Sequence, residues 1–199
     1  IRLKAREAAI DIPIAKRQLT CRPTWHVAPM ERHLDRSLVY VRPIEVVFVR
    51  ARGAYADTVN QAWGRMFSWM DANGLGAEVD IGYGLAHDDP RTTPPDLCRY
   101  DACIPVPAAV TQEALMQLQR MKLPSGVYAR DLIVRSYDRM GAALASLRDE
   151  WAPRNGLCFD PSRPVVTIYR NNPRYCPPEM LKADICLPIV PSAASHNAA

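Results

Sequence analysis

The sequence predicts an α+β fold: a duplicated strand-helix-strand-strand module with pseudo-twofold symmetry, its antiparallel sheet carrying two long helices on one face. Three observations predict it. The first is an internal repeat. Residues 88–106 match residues 171–189 at a constant offset of 83, with Pro90/Pro173, Arg91/Arg174, Pro94/Pro177, Pro95/Pro178, Asp101/Asp184, Cys103/Cys186 and Pro105/Pro188 identical. Upstream the offset is 82, and Tyr55/Tyr137, Trp69/Trp151, Asn73/Asn155, Gly74/Gly156 and Leu75/Leu157 pair. Chance does not give two blocks whose offsets differ by one insertion. A unit of about 80 residues is too long for a solenoid repeat and suits half of a two-lobed domain. The second observation is a pair of apolar stripes at helical spacing, each ended by Asn-Gly. The third is a set of short runs rich in Val, Tyr and Phe, bounded by Pro and Gly, which read as strands.

Taken in order, residues 38–42 and 45–52 are strands separated by Pro43, a spacing that suits direct pairing of the two. Gly53 ends the second. A helix over 55–73 places Tyr55, Val59, Ala62, Trp63, Met66, Phe67 and Met70 on one face, and Asn73-Gly74 stops it. Strands follow near 79–85 and 100–105, with the proline-rich stretch 88–97 as a surface loop. In the second repeat 115–123 and 127–135 are strands, the first of which could equally begin as a helix. Residues 137–151 carry Tyr137, Met140, Leu144, Leu147 and Trp151 on one helical face. Strands over 164–170 and 184–189 close the unit. Residues 1–37 are read as an N-terminal extension or linker and 192–199 as a disordered tail.

At 199 residues the chain is long enough for one domain with its own core. A net charge of +4, with Arg2, Lys4, Arg6, Lys16 and Arg17 interrupted by acids, forms no stripe for nucleic acid. No apolar run reaches membrane-spanning length and no signal peptide opens the chain. The chain begins at Ile1, which suggests a fragment. Of the six cysteines none forms a Cys-x-x-Cys pair, and Cys98 and Cys103 have no histidine partner in sequence, so no metal is expected. Cys103 and Cys186 share a slot in apolar strands and read as buried reduced thiols of a cytoplasmic protein.

The stretches VVFVRARGAY (46–55), GYGLAHDDP (82–90), YDACIPV, VTIYRNNP (166–173) and ADICLPI (183–189) together resemble the gyrase-inhibitor-like (GyrI-like) small-molecule-binding domain, over roughly residues 38–191. That domain is the effector-binding half of many AraC-type and some MerR-type bacterial regulators. It also occurs as stand-alone drug- or toxin-sequestering proteins and as hydrolases of cyclopropane-bearing compounds. The resemblance implies a duplicated strand-helix-strand-strand fold with a ligand groove between the repeats, and a carboxylate two residues before the tyrosine of the 165–169 strand. Here that position is Thr167. A hydroxyl neither balances a buried cation nor shuttles protons near neutral pH, which counts against a lipophilic-cation receptor and against hydrolysis.

Strand alternation sets Val165, Thr167 and Tyr169 on one face, and the repeat offset places Gly82 and Gly84 in the corresponding slots. Two readings stand: a groove floored by Gly82 and Gly84 and walled by Thr167 and Tyr169, or a strand edge that needs glycine. Trp63 is the aromatic wall, while Met66 and Trp69 are core. Glu45 and Asp131 are acids beside apolar strands that could replace the missing carboxylate, although such acids are mostly solvated. His26, His33, His87 and His196 are scattered, and His87, matching Arg170, reads as an exposed polar slot. No nucleophile elbow, phosphate loop or dinucleotide fingerprint is present. Gly82-Tyr83-Gly84 is a lone Gly-x-Gly.

The expectation is therefore a non-catalytic effector domain that binds a small apolar or aromatic molecule, with no cofactor, no metal and no membrane contact. DNA would be reached only through a helix-turn-helix region outside this chain, since residues 1–37 are too short for the paired helix-turn-helix of the AraC type, and a homodimer is compatible. The alternatives are a stand-alone sequestering protein and a hydrolase on the same fold.

Overall fold

The computed structural model of the protein describes residues 36–76 and 78–192. Of the linker and tail expected for 1–37 and 192–199, residues 1–35 and 193–199, and with them Cys21, His26, His33 and His196, lie outside the described residues; Ser37 opens the first strand, and the Ser192 N–H donates to the Gly156 carbonyl.

The chain runs β1 (Ser37–Val41), β2 (Glu45–Arg52), α1 (Tyr55–Ala72), β3 (Gly82–Ala86) and β4 (Arg99–Pro105). It continues as α2 (Gln112–Leu115), β5 (Gln119–Lys122) and β6 (Gly126–Val134). A 3-10 turn at Tyr137–Arg139 leads into α3 (Met140–Ser146), a π-helical turn at Leu147–Trp151 and α4 (Ala152–Arg154). Last come β7 (Leu157–Phe159), β8 (Val165–Tyr169) and β9 (Lys182–Pro191). Every strand pairing is antiparallel, in the order β1-β6-β9-β8-β3-β4-β2-β5, with β7 added against β9.

Strands matched by the sequence offset sit at mirrored places in this order: β1 and β5 at the edges, then β6 and β2, β9 and β4, and β8 and β3 in the middle. The register follows the same offsets. Phe48 faces Cys103 in one half as Arg130 faces Cys186 in the other, and the central pair is Gly84 beside Thr167. One expectation fails. β1 does not pair with β2; it pairs with β6, and β5 pairs with β2. Pro43 and the short link to Glu45 carry the chain across to the other half instead of turning it back.

Helix α1 ends as the Asn-Gly pair predicts. Gly74 takes φ +70, its N–H donates to the Asp71 carbonyl, and the Leu75 N–H reaches back to the Met70 carbonyl at 2.9 Å. The second helix is not one continuous α-helix. Pro153 has no N–H to offer the carbonyl four residues back, and the chain opens into the π turn just ahead of it. The stretch 115–123, expected to be a strand that could begin as a helix, opens with Leu115, the last residue of α2, and becomes strand only at β5; α2 is capped by the Thr111 hydroxyl, which accepts from the Ala114 N–H.

Both helices lie on one face of the sheet. Ala102, Gly84, Thr167 and Ile185 are successive cross-strand neighbours and so share a face. Ala102 packs in the α1 cluster with Val47, Val49, Met66 and Met70, while Ile185 packs with Leu187, Ile189 and Leu147 beneath the second helix. Val46, Phe48, Leu85, Cys103, Tyr128, Val166 and Cys186 form a third cluster on the opposite face. The strands therefore bury both sides, which explains why 46–49 and 102–104 read as continuous apolar runs. Met66 and Trp69 are buried core residues. No helix among the described residues is long and apolar enough to cross a membrane.

Candidate functional site

A cavity of about 300 Å³ opens on the helix side of the sheet between the two halves. One wall comes from α1 (Val59, Trp63, Phe67, Met70) with Gly82 and Ile104; the other comes from Tyr137, Tyr169, Pro173 and Leu181. Trp63, Gly82 and Tyr169 of the expected groove are thus brought together. The Trp63 ring lies over Gly82: a Cβ there would come within 2.5 Å of the indole Cη2, so only glycine admits the ring at this depth.

The other three expected residues stand elsewhere. Gly84 does not floor an empty groove, because the Tyr100 hydroxyl occupies the space above it. Thr167 is buried between Gly84 and Ile185 and does not line the cavity. Glu45 begins β2 at the sheet's outer side, mostly exposed and 3.9 Å from Lys122, away from the cavity's lining residues. Asp131 is also spent, on Arg36 at 3.0 Å.

What fills the Gly84 void organises the site. The Trp63 indole N–H donates to Tyr100 Oη at 3.1 Å, and Tyr100 Oη shares a hydrogen bond with Tyr169 Oη at 3.2 Å. Trp63 and Tyr137 each meet the Tyr169 ring edge-on, at centroid distances of 5.2 and 5.3 Å. Burial pushes the phenols of Tyr100 and Tyr169 above the usual range and that of Tyr137 up to about 12, so all three stay protonated at physiological pH. Tyr137 Oη is buried and makes no hydrogen bond. It is a donor closed off beside the aromatic cavity with no acceptor among the described residues.

The repeat explains this loose end. Tyr55, at the position equivalent to Tyr137, donates through Oη to the Asp88 carbonyl at 2.8 Å and accepts from the Asp88 N–H at 2.9 Å. Its surrounding cavity, about 110 Å³, is crowded by Arg148. That guanidinium pairs with Asp89 at 2.6 Å and lies over the Phe159 ring, 4.5 Å from its centroid. Around Tyr137 the equivalent loop reads Asn171-Asn172 in place of Asp88-Asp89, and that cavity stays open. The single acid among the lining residues is Asp80, exposed on the rim. Sequence reading missed Tyr137, taken as part of a core stripe, and Asp80; comparing the two loops through the offset is the signal that would have found them.

Two arginines at equivalent places tie the halves together. Arg91 makes a two-pronged pair with Asp149 beyond α3, and Arg174 pairs with Asp71 at the end of α1 at 2.7 Å, lying 5.4 Å from the Phe67 ring at the cavity mouth. Beneath the loops sit the repeated acids. Asp101 is fully buried, held by Arg50 at 2.6 and 2.7 Å and by His87 at 2.6 Å. Burial alone would raise its carboxyl, but the hydrogen bonds from Arg50 and His87 outweigh that and hold it below the usual range. His87 is therefore not an exposed slot; it is mostly buried in an ion-pair cluster. Cys98, Cys103 and Cys186 are buried free thiols, and burial raises Cys103 and takes Cys186 up to about 12, far from a reactive thiolate. Among the described residues no cluster of three or more His, Cys, Asp or Glu is placed to hold a metal ion.

Residues 35–190 match the family model described as the GyrI-like small molecule binding domain, and the chain belongs to that family. Solved structures of the same fold include EcmrR in a complex with DNA, with a TM-score of 0.58, 12% identity, and coverage of 80% of this chain and 58% of that one. SAV2435 bound to tetraphenylphosphonium gives a TM-score of 0.55 at 11% identity, covering 83% and 98% of the two chains. A hydrolase from Listeria innocua gives 0.51 at 16% identity, covering 78% and 91%. At these identities the likeness speaks to fold alone.

Proposed function

We propose that this GyrI-like domain is the effector-binding module of a bacterial transcription regulator and takes a small, neutral aromatic molecule between its halves. The observation that carries the reading is the open aromatic cavity walled by both halves, with its acid among the described lining residues, Asp80, only on the rim. Flat rings stack against Trp63, Phe67 and Tyr169. A cation would enter without a carboxylate at its depth, and burying an uncompensated charge costs several kcal/mol. Because the walls belong to different halves, a ligand that prefers one spacing of the halves shifts the population toward it, which is how binding would be passed to an attached DNA-binding region. The EcmrR–DNA structure, in which the matched part is 58% of that chain, supports this reading by fold alone.

The rival reading is a hydrolase. It needs an acid or base beside the bound substrate, and Thr167, standing where the resemblance implies a carboxylate, is buried away from the cavity.

Calorimetric titration with naphthol and with tetraphenylphosphonium tests the proposal. Naphthol is expected to bind at least as tightly as the cation. Trp63→Ala should weaken naphthol by roughly tenfold or more, about 1.4 kcal/mol, and Asp80→Asn should weaken only the cation. Full retention of naphthol affinity in Trp63→Ala, or turnover of a cyclopropane-bearing substrate by the wild type, would overturn it.

A further inference from the structure

The face of the sheet opposite the helices carries a second cavity, of about 290 Å³, backed by Tyr83 and Ile168 and closed by residues of β1 and the links beside it. Its apolar walls are Val39, Ile44, Leu123 and Ile168; its polar ones are Arg42, Arg130, Arg170 and Asp184. The two cavities stand back to back across the β3–β8 pair, since Tyr83 and Ile168 alternate with Gly82 and Tyr169.

The polar groups here are an incomplete copy of the Asp101 cluster. Asp101 is satisfied by Arg50 and His87. At the positions equivalent to Arg50 and Phe48 the second half has Leu132 and Arg130. Asp184, buried like Asp101, keeps only Arg170, bound through Oδ2, and its Oδ1 is buried without a partner. Arg130 takes the place of an aromatic ring, and its buried Nε has no hydrogen-bond partner; among the described residues no ion pair engages its guanidinium. A half-buried guanidinium whose Nε is shut off from water and whose charge has no counter-ion is costly. With Arg170 neutralised by Asp184, Arg130 and the exposed Arg42 leave the cavity with a positive balance against apolar walls. Electrostatics and shape thus call for different parts of one molecule.

We propose that this second cavity binds a small organic acid, its carboxylate on Arg130 and Arg42 and its apolar body against Val39, Ile44, Leu123 and Ile168. The site is separate from the aromatic cavity and does not depend on the function assigned to that one.

Phenylbutyrate, phenylbutanol and inorganic phosphate are the probes, each titrated into the whole chain. In amide spectra of the wild type, phenylbutyrate is expected to shift Val39, Ile44, Leu123 and Ile168. By calorimetry it should bind at least tenfold more tightly than phenylbutanol, about 1.4 kcal/mol, and Arg130→Met should remove that advantage. Shifts confined to Val59, Phe67 and Leu181, equal binding of the alcohol, phosphate binding as tightly as the acid, or undiminished binding by a folded Arg130→Met protein would each overturn the proposal. If Arg130→Met does not fold, the wild-type shift map and the comparison of acid with alcohol still decide it.

Discussion

Replacing Gly84 by alanine attacks the aromatic site through its scaffold. A Cβ at this position would overlap Tyr100 Oη and come within 2.9 Å of Tyr100 Cζ. Tyr100 is buried and its ring is rigid, so it cannot swing clear as a long aliphatic chain would. Overpacking of this kind costs about 1–3 kcal/mol. Displacing Oη also breaks its hydrogen bonds with Trp63 and Tyr169, each worth about 1 kcal/mol. The expected loss is therefore about 3–5 kcal/mol, which for a domain of this size lowers Tm by roughly 6–20 °C. Tyr100→Phe alone should cost about 1–2 kcal/mol by leaving both partners unmatched. The two changes should not add: once Oη is gone the new methyl has less to displace, and the double variant should be no less stable than Gly84→Ala alone. Urea denaturation followed by circular dichroism on the four proteins gives the coupling, expected to be at least about 1 kcal/mol in the compensating sense. Additivity within a few tenths of a kcal/mol, or a Gly84→Ala cost below about 0.5 kcal/mol, refutes the reasoning.

Asp101→Asn should destabilise the protein by about 3 kcal/mol, the low end for breaking a buried pair because the Arg50 side chain is 34% exposed. Since the folded carboxyl is held below its unfolded value of about 3.9, its contribution is present above that pH and is lost as pH falls through the lower folded value. Acid titration of the wild type should therefore show a loss of stability below about pH 4 that is shallower in Asp101→Asn. Arg174→Gln releases the contact from the 171–174 loop to Asp71 at the cavity mouth. In stopped-flow experiments naphthol should leave the wild type faster as salt is raised, because the pair is exposed to screening, whereas the variant should release it quickly at low salt and show little further dependence.

The order of the strands and helices matched by the sequence offset was legible, whereas α2 and β7, which have no counterpart among the described residues, were not. Gly53, Gly74 and Gly156 marked ends that the backbone requires, all three having positive φ. Pairing of β1 was not legible: local spacing around Pro43 favours a hairpin, and only long-range burial of Val41 beside Tyr128 and Cys186 decides otherwise. At the aromatic site, alternation along β8 and the stripe on α1 pointed to Tyr169 and Trp63. It could not show that Tyr100 would reach across to cover Gly84, because that depends on the depth of a ring from a third strand. Tyr137 was hidden for a related reason, since a helical stripe does not tell which of its members faces a gap in the packing. Glu45 misled because alternation gives the face of a strand but not whether the strand's end projects into solvent.

The crossed edges of the sheet set the order in which the polypeptide can close. Ser37 finds its partner only at Arg130, while β2 is completed by β5 rather than by the strand just before it. As the chain leaves the ribosome β1 emerges well before its partner and must wait, an unpaired edge, until β6 has been made. The first half closes on β5 at residues 119–122, and β1 docks only after β6 follows it. Contacts so distant in sequence make for slow folding. They also mean that neither half can be cut free intact, because each would leave behind the strand that finishes the other.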